Sequence, residues 1–532
     1  AIAIAESIDD PSAKVKTLAA IAIELAKAGQ AQRSQQLFDR AERLARQIPS
    51  NAYSEPHYYS NLALRDVSIQ LAQAGYTQRA LQLVRSLSSN VRKAEALNEI
   101  GAALTAAGQT DQAKQTLLDA LQAARGITGS YAYESNGSCG NDKFAVMSKI
   151  AANLSAVSQL NSALQIARSI SGCGSADGST SQDYQAWAFL GILSHLSTVQ
   201  DVRQTWQNAQ SISSPVEKAA TWEAIATRLV DLGEPAYATF IAQKLATEVP
   251  VPNFQSSPMW ELQQFSARET ALQTIAIALA QKQQFTAAMQ VVQRMTDVMP
   301  ASASTFNFSL RPMPKSVAMG EIAHQLAIAG QTSKAIDLAK TIPDPEVKAL
   351  AWIAIASELQ TKGQTTEAAR LLRDLPLPPP PAPDDYYYTS QMSHIAVALV
   401  TAGQSDRALQ IARSFPDTNT QESLLADIAV RMAELNQIEP ALNLAKPLTL
   451  PGLRATAFSQ IAKQLANTGQ LAQAFQILTT ELMPSEWEKD EMLADVANRY
   501  AQLGQQSQAL TTAEAITNIE IKARAMAAIA VP

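Results

Sequence analysis

The sequence predicts an all-α solenoid of about thirteen helix-turn-helix repeats, with long inter-repeat loops gathered on one edge. Three observations predict it. Pairs of short amphipathic segments recur along the whole chain, a glycine usually separates the two members of a pair, and a column of small residues recurs at fixed distances from that glycine.

The segment Ala94–Gly126 shows the unit without interruption. Ala96, Leu97, Ile100, Gly101 and Leu104 repeat at helical spacing, and after Gly108-Gln109 so do Ala113, Leu117, Ala120 and Leu121. Neither helix is long enough to bury an apolar face alone, so each must pack on its partner and on neighbouring copies.

Taking the turn residue as anchor, copies align at Gly29, Gly75, Gly108, Ser158, Gln200, Gly233, Gln283, Gly330, Gly363, Gly403, Asn436, Gly469 and Gly504. Eight residues before the anchor stands Ile or Val in every copy, as in Ile21, Ile100, Ile225, Ile355 and Val496, usually followed by Ala. Four before it stands Leu, with Met432 and Tyr500 as exceptions; five after it stands Ala, except at Ser34 and Thr205. Small residues framed by Ile and Leu are what two closely crossing helices require, so these positions read as core. Gly, or Asn436, supplies the left-handed residue that ends the first helix. Copies with Ser158, Gln200 and Gln283 are expected to turn less regularly.

Uninterrupted copies run 33 to 35 residues, as from Gly75 to Gly108 or Gly330 to Gly363. That period, with Ile100, Gly101, Leu104, Gly108, Ala113, Leu117 and Ala120 in place, resembles the tetratricopeptide repeat family. The family's usual Trp early in the first helix is generally missing, and its Tyr is Leu in nearly every copy. The resemblance implies one continuous right-handed superhelix over residues 1–532, with the inner helices lining a concave surface that binds a protein or peptide. A subdivision near the Pro-rich 376–391 is the competing organisation; because the repeat resumes in register at Met392, that stretch reads as a loop with a polyproline II spacer.

Ala1–Ile8 resembles the second helix of a repeat and Ile519–Ile529 the first helix of another. Solenoid ends need capping. The chain is therefore expected either to be a fragment of a longer protein or to dock its end helices on something else.

Longer spacings place insertions between the second helix of one repeat and the first of the next: 48–60, 128–144, 171–185, 249–265, 299–316 and 375–391. Nine of the 12 Tyr fall in them, which makes this rim the expected partner-binding surface. Its candidate residues are Tyr58, Tyr59, Tyr131, Tyr133, Trp260, Phe306, Phe308, Tyr386, Tyr387 and Tyr388, aromatics that bury large area at small entropic loss. The plainer reading of each is that it folds back over the ends of the helix layer.

The only two cysteines, Cys139 and Cys173, sit in Gly- and Ser-rich insertions at consecutive junctions. A pair confined to adjacent loops points to a disulfide, provided the α-carbons come within about 7 Å, and hence to a periplasmic or extracellular location; two exposed thiols in the cytoplasm are the alternative.

With 42 basic against 48 acidic residues the charge is -6, which offers no cation excess for a phosphate backbone and disfavours nucleic-acid binding. No stretch approaches the roughly 20 apolar residues of a membrane span. His57, His195, His324 and His394 lack metal-ligand spacing, and Gly172–Gly178 lacks the spacing and the following Lys of a phosphate loop. No catalytic residue, cofactor site or metal site is expected. The sequence thus predicts a non-enzymatic scaffold binding a protein or peptide by groove or aromatic rim; the alternative is an extracytoplasmic glycan- or envelope-binding protein using the Tyr/Trp-rich loops.

Overall fold

The computed structural model describes residues 2–49, 57–127, 142–170, 184–249, 259–296, 313–377, 386–415, 417–481 and 483–530, with the backbone alone for 142, 259–261 and 386–388. Among these there are 28 helices and no strand. In chain order they are α1 (Ile2–Glu6), α2 (Pro11–Lys27), α3 (Ala31–Gln47), α4 (Tyr58–Gln73), α5 (Thr77–Arg85), α6 (Asn90–Ala106), α7 (Thr110–Arg125), α8 (Asp142–Ala156), α9 (Leu160–Ser169) and α10 (Tyr184–Leu193). Then come α11 (Val199–Ala209), α12 (Pro215–Asp231), α13 (Pro235–Glu248), α14 (Met259–Gln281), α15 (Phe285–Val292), α16 (Pro314–Ile328), α17 (Thr332–Lys340), α18 (Pro345–Thr361) and α19 (Thr365–Arg373). The last are α20 (Tyr386–Thr401), α21 (Ser405–Arg413), α22 (Thr418–Glu434), α23 (Ile438–Ala445), α24 (Pro451–Asn467), α25 (Leu471–Thr480), α26 (Glu486–Gln502), α27 (Gln506–Glu514) and α28 (Ile519–Ile529).

The chain forms two compact units, Ala1–Ala107 with Met392–Pro532, and Gly108–Gln391. In each, even-numbered helices lie side by side and odd-numbered helices pack behind them; α8, α10, α12, α14, α16 and α18 form such a row in the second unit. The Ile/Val column is buried in all copies, and every residue of the small column, Ser34 and Thr205 included, has no exposed surface. Ser34 keeps its hydroxyl satisfied by donating to the Ala22 carbonyl at 2.7 Å.

The turns follow one hydrogen-bond pattern. The Gly29 N–H donates to Ala26 O at 3.0 Å and the Gln30 N–H to Leu25 O at 2.8 Å, which satisfies two carbonyls that the helix end would otherwise leave open. Gly29 has φ 73°, and Ser158, Gln283 and Asn436 reach 61°, 60° and 60°. The expected irregularity at Ser158 and Gln283 is therefore corrected: the paired bonds, such as Gln284 N–H to Leu279 O at 2.8 Å, impose the left-handed turn without glycine. Only the copy placed at Gln200 departs. There α10 stops at Leu193, α11 is capped by Thr198, and Gln200 lies inside α11.

First helices start on side-chain caps nineteen residues before the anchor: Asp10, Ser89, Ser214, Asp344, Asp417 and Ser485 each accept from the amide three residues on. A second device ties each of several first helices to the junction 27 residues later. Asn61 accepts from Ser88 N–H at 3.1 Å, Glu269 from Thr296 N–H at 3.2 Å, Glu422 from Thr449 N–H at 2.9 Å and Asp490 from Thr517 N–H at 3.0 Å.

The insertions do fall between odd- and even-numbered helices, but several of their residues are helical. Tyr58 and Tyr59 open α4, Trp260 lies in the first turn of α14, and Tyr386, Tyr387 and Tyr388 open α20. In α14 the early start is explained by Leu262 and Phe265, 6% and 1% exposed, whose burial holds the added turns. Within the first unit α28 packs on α26 and α27, and also on α1 and α2, so the two end segments dock on each other.

Candidate functional site

The uncovered face of the even-numbered row differs between the units. On α2, α4 and α6 it is a self-neutralised ladder. Lys16 lies 3.6 Å from Asp66, Arg65 bonds Asp66 at 2.6 Å and Glu95 at 2.8 Å, and Arg92 bonds Glu95 at 2.9 Å. Burial pushes the Glu95 carboxyl up, but Arg65 and Arg92 outweigh it and hold it below the usual range. The candidate residues Tyr58 and Tyr59 sit at the edge of this ladder, half-buried, ring on ring at 5.2 Å. The Tyr58 oxygen accepts from Arg92 at 3.2 Å, and Arg92 also stacks on its ring.

On α10 and α12 the face is mixed and open, with Trp187, Leu190 and Ala224 beside Ser194, Thr227, Arg228 and Asp231. The run YQAWAFLGIL is hydrophobic all round, so its even side faces the core with Phe189 and Ile192 while Trp187 points outward, 47% exposed. Trp187 meets Tyr184 edge to face at 5.4 Å. One and two turns on, Leu190, Leu193 and Ser194 join Ala224, Thr227, Arg228 and Asp231 of α12 around a hollow of about 240 Å³.

Several contacts fix this hollow. Gly191 lets α10 lie against α8: a β-carbon there would stand 2.6 Å from the Ala152 methyl. Arg228 donates from Nε and Nη2 to Leu196 O at 3.0 and 2.6 Å, closing the carbonyl left open where α10 ends early. Asp231 lies 3.2 Å from Lys282. One turn deeper on α12, burial pushes the Glu223 carboxyl up, opposed by a hydrogen bond with Thr274 of α14.

The other expected site residues are not gathered here. Trp260, Tyr386, Tyr387 and Tyr388 start their helices elsewhere in the row, and Tyr131, Tyr133, Phe306, Phe308, Cys139 and Cys173 lie outside the described residues. A second aromatic group, Trp206, Trp222, Tyr237 and Phe240, has ring centroids 5.6 to 6.0 Å apart, but Trp206 and Trp222 are buried and serve the core. Among the described residues no three His, Cys, Asp or Glu side chains are grouped as metal ligands, and no helix is long and apolar enough to cross a membrane. Trp187 was missed because a helix apolar on all sides gives no periodicity that marks its outward residue.

Stacked helix hairpins with an Ile-Ala, Leu, turn, Ala pattern give the chain an all-helical repeat fold that resembles tetratricopeptide-like proteins. No family model matches the chain, and no curated protein matches it in sequence. Among solved structures it is similar to the pentatricopeptide repeat protein PPR10 from maize, at 12% identity over 92% of this chain and 62% of that one, with a TM-score of 0.32. It is also similar to Ton1535 from Thermococcus onnurineus NA1, at 15% identity over 76% and 99% of the two chains and a TM-score of 0.24. A circular tandem repeat protein with novel repeat topology aligns at 10% identity over 98% of both, with a TM-score of 0.21. These likenesses concern helix arrangement and say nothing of what the chain binds.

Proposed function

We propose that the chain is a non-enzymatic scaffold that binds a segment of a partner protein on the face of α10 and α12. The observation that carries this reading is Trp187, nearly half exposed beside an open hollow, with Tyr184 braced against it and Arg228 at the rim. Trp, Tyr and Arg around a small recess lined by both leucines and polar side chains is the composition of an interface anchor. About 240 Å³ falls below the roughly 300 to 1,000 Å³ of a small-molecule or cofactor site, and suits one inserted side chain. The bound segment places an apolar side chain in the hollow and lies across the Trp187 ring.

Peptide-library selection on the full chain tests this. Enriched sequences should share an apolar anchor and lose binding to Trp187→Ala. A library that yields nothing above the background of that variant contradicts the reading, whereas oligosaccharide binding with the same dependence on Trp187 replaces it with the glycan alternative.

A further inference from the structure

On the face of α12, the fold leaves the Glu223 carboxylate short of partners. It is half-buried, and burial pushes its carboxyl up. Among the described residues its hydrogen-bond partner is Thr274 of α14, whose single hydroxyl proton also reaches the Thr270 carbonyl at 3.1 Å. The lysines and arginines of the surrounding helices are committed elsewhere. α10 carries none. Lys218 pairs with Glu248 at 3.3 Å, Arg228 holds the Leu196 carbonyl, Arg268 pairs with Glu269, and Lys282, just past α14, pairs with Asp231.

The same register position in the first unit is neutralised within the fold. Glu223 stands ten residues before Gly233, and Arg65 ten before Gly75. Arg65 bonds Asp66 at 2.6 Å and, on the next even-numbered helix, Glu95 at 2.8 Å. Glu223 meets no such counter-charge from α14, and it stands one helical turn from Thr227, in the lining of the hollow.

We propose that the segment bound at Trp187 is basic, and that a Lys or Arg beside its apolar anchor pairs with Glu223. This rests on Trp187 and its hollow as the interface, and adds the chemistry of the partner. In an extended chain, residues two apart point the same way and lie about 6.6 Å from each other, against about 5.4 Å for one turn of α12, so the cation falls two residues from the anchor. It meets a carboxylate already half out of water, where salt screens the pair less than on an open surface.

Selection from a random dodecapeptide library on the full chain, followed by a double-mutant cycle on one enriched peptide, tests this. Enriched peptides should carry Lys or Arg at that spacing from the apolar anchor. Glu223→Gln keeps the size of the side chain and removes its charge, so helical circular dichroism and the urea midpoint should hold. It should weaken the peptide on the order of tenfold, and norleucine in place of the peptide's basic residue should weaken binding to the parent as much. The two changes together should cost little more than either alone. Peptides that need Trp187 but carry no basic residue, or two losses that add in full, overturn this proposal and leave the Trp187 interface standing. A library with no peptide that depends on Trp187 overturns both.

Discussion

Removing the Trp187 ring tests the proposed interface most simply. Trp side chains bury about 150 to 250 Å² when fully covered, and 47% of this one is exposed, so a partner covers at most about 100 Å² of it. At about 25 cal/mol per Å², that contact is worth about 2.5 kcal/mol, and Trp187→Ala should weaken a selected peptide about 60-fold. The fold loses the edge contact with Tyr184, on the order of 1 kcal/mol, so helical circular dichroism of the variant should match the parent. Fluorescence polarisation of the labelled peptide against parent and variant reads the difference. A loss below about threefold, with the variant folded, refutes the assignment of this ring to the interface.

Other consequences concern the scaffold. Gly191→Ala drives a methyl into Ala152 and should cost about 1 to 3 kcal/mol in urea unfolding, with α8 and α10 exchanging faster; an unchanged midpoint means the helices lie further apart than described. Asp490, itself buried, accepts from the Thr517 amide and hydroxyl and the Asn518 amide at 3.0, 2.7 and 2.7 Å, so Asp490→Ala removes the acceptor of all three. It should cost about 1 to 2 kcal/mol, since water can reach these donors, and unprotect both amides in hydrogen exchange, against the outcome of full protection. Burial pushes the Asp490 carboxyl up, but these donors hold it below its usual range, and the Thr449 hydroxyl and the Leu450 and Thr449 amides do the same for Glu422. Both folded values lie below the unfolded ones, so their stabilisation is fully present above about pH 4.5 and fades as pH falls through the folded values. Urea midpoints from pH 7 to pH 3 should fall for the parent and fall less for Asp490→Ala. Gln283→Gly relieves a left-handed non-glycine residue and should stabilise by about 0.5 to 1 kcal/mol, read from the same midpoint.

The core was legible because its signal repeats. Ile or Val at one offset recurs in every copy, Leu at another and Ala at a third in all but two copies each, and all of the small residues lie buried. Side chains that act once were not. The repeat pattern does not mark Glu422 and Asp490, since their partners lie 27 residues downstream in a junction whose path the pattern does not specify. Gln200 reads as a turn because Ile192 and Leu196 sit at the right offsets; both are buried, yet α10 ends before Leu196 and Arg228 closes its carbonyl instead. Ser158 and Gln283 show the converse: the bond pattern of the turn sets its backbone even where the residue does not favour it.

Of the aromatic rim, the side chains of Tyr58 and Tyr59 are described, and both are engaged. Tyr58 and Tyr59 open a helix and engage Arg92 and each other, whereas Trp187 in the first turn of α10 stands exposed. Exposure of a single residue on an apolar helix is set by what its neighbours cover, which only packing reveals.

Hydrogen exchange of the full chain with and without a selected peptide is the most direct measure of where a partner binds. Slower exchange confined to 184–196 and 220–231 is the expected footprint. Protection that falls instead on the odd-numbered helices, or on the even-numbered row away from α10 and α12, contradicts the placement of the interface on Trp187 and its hollow.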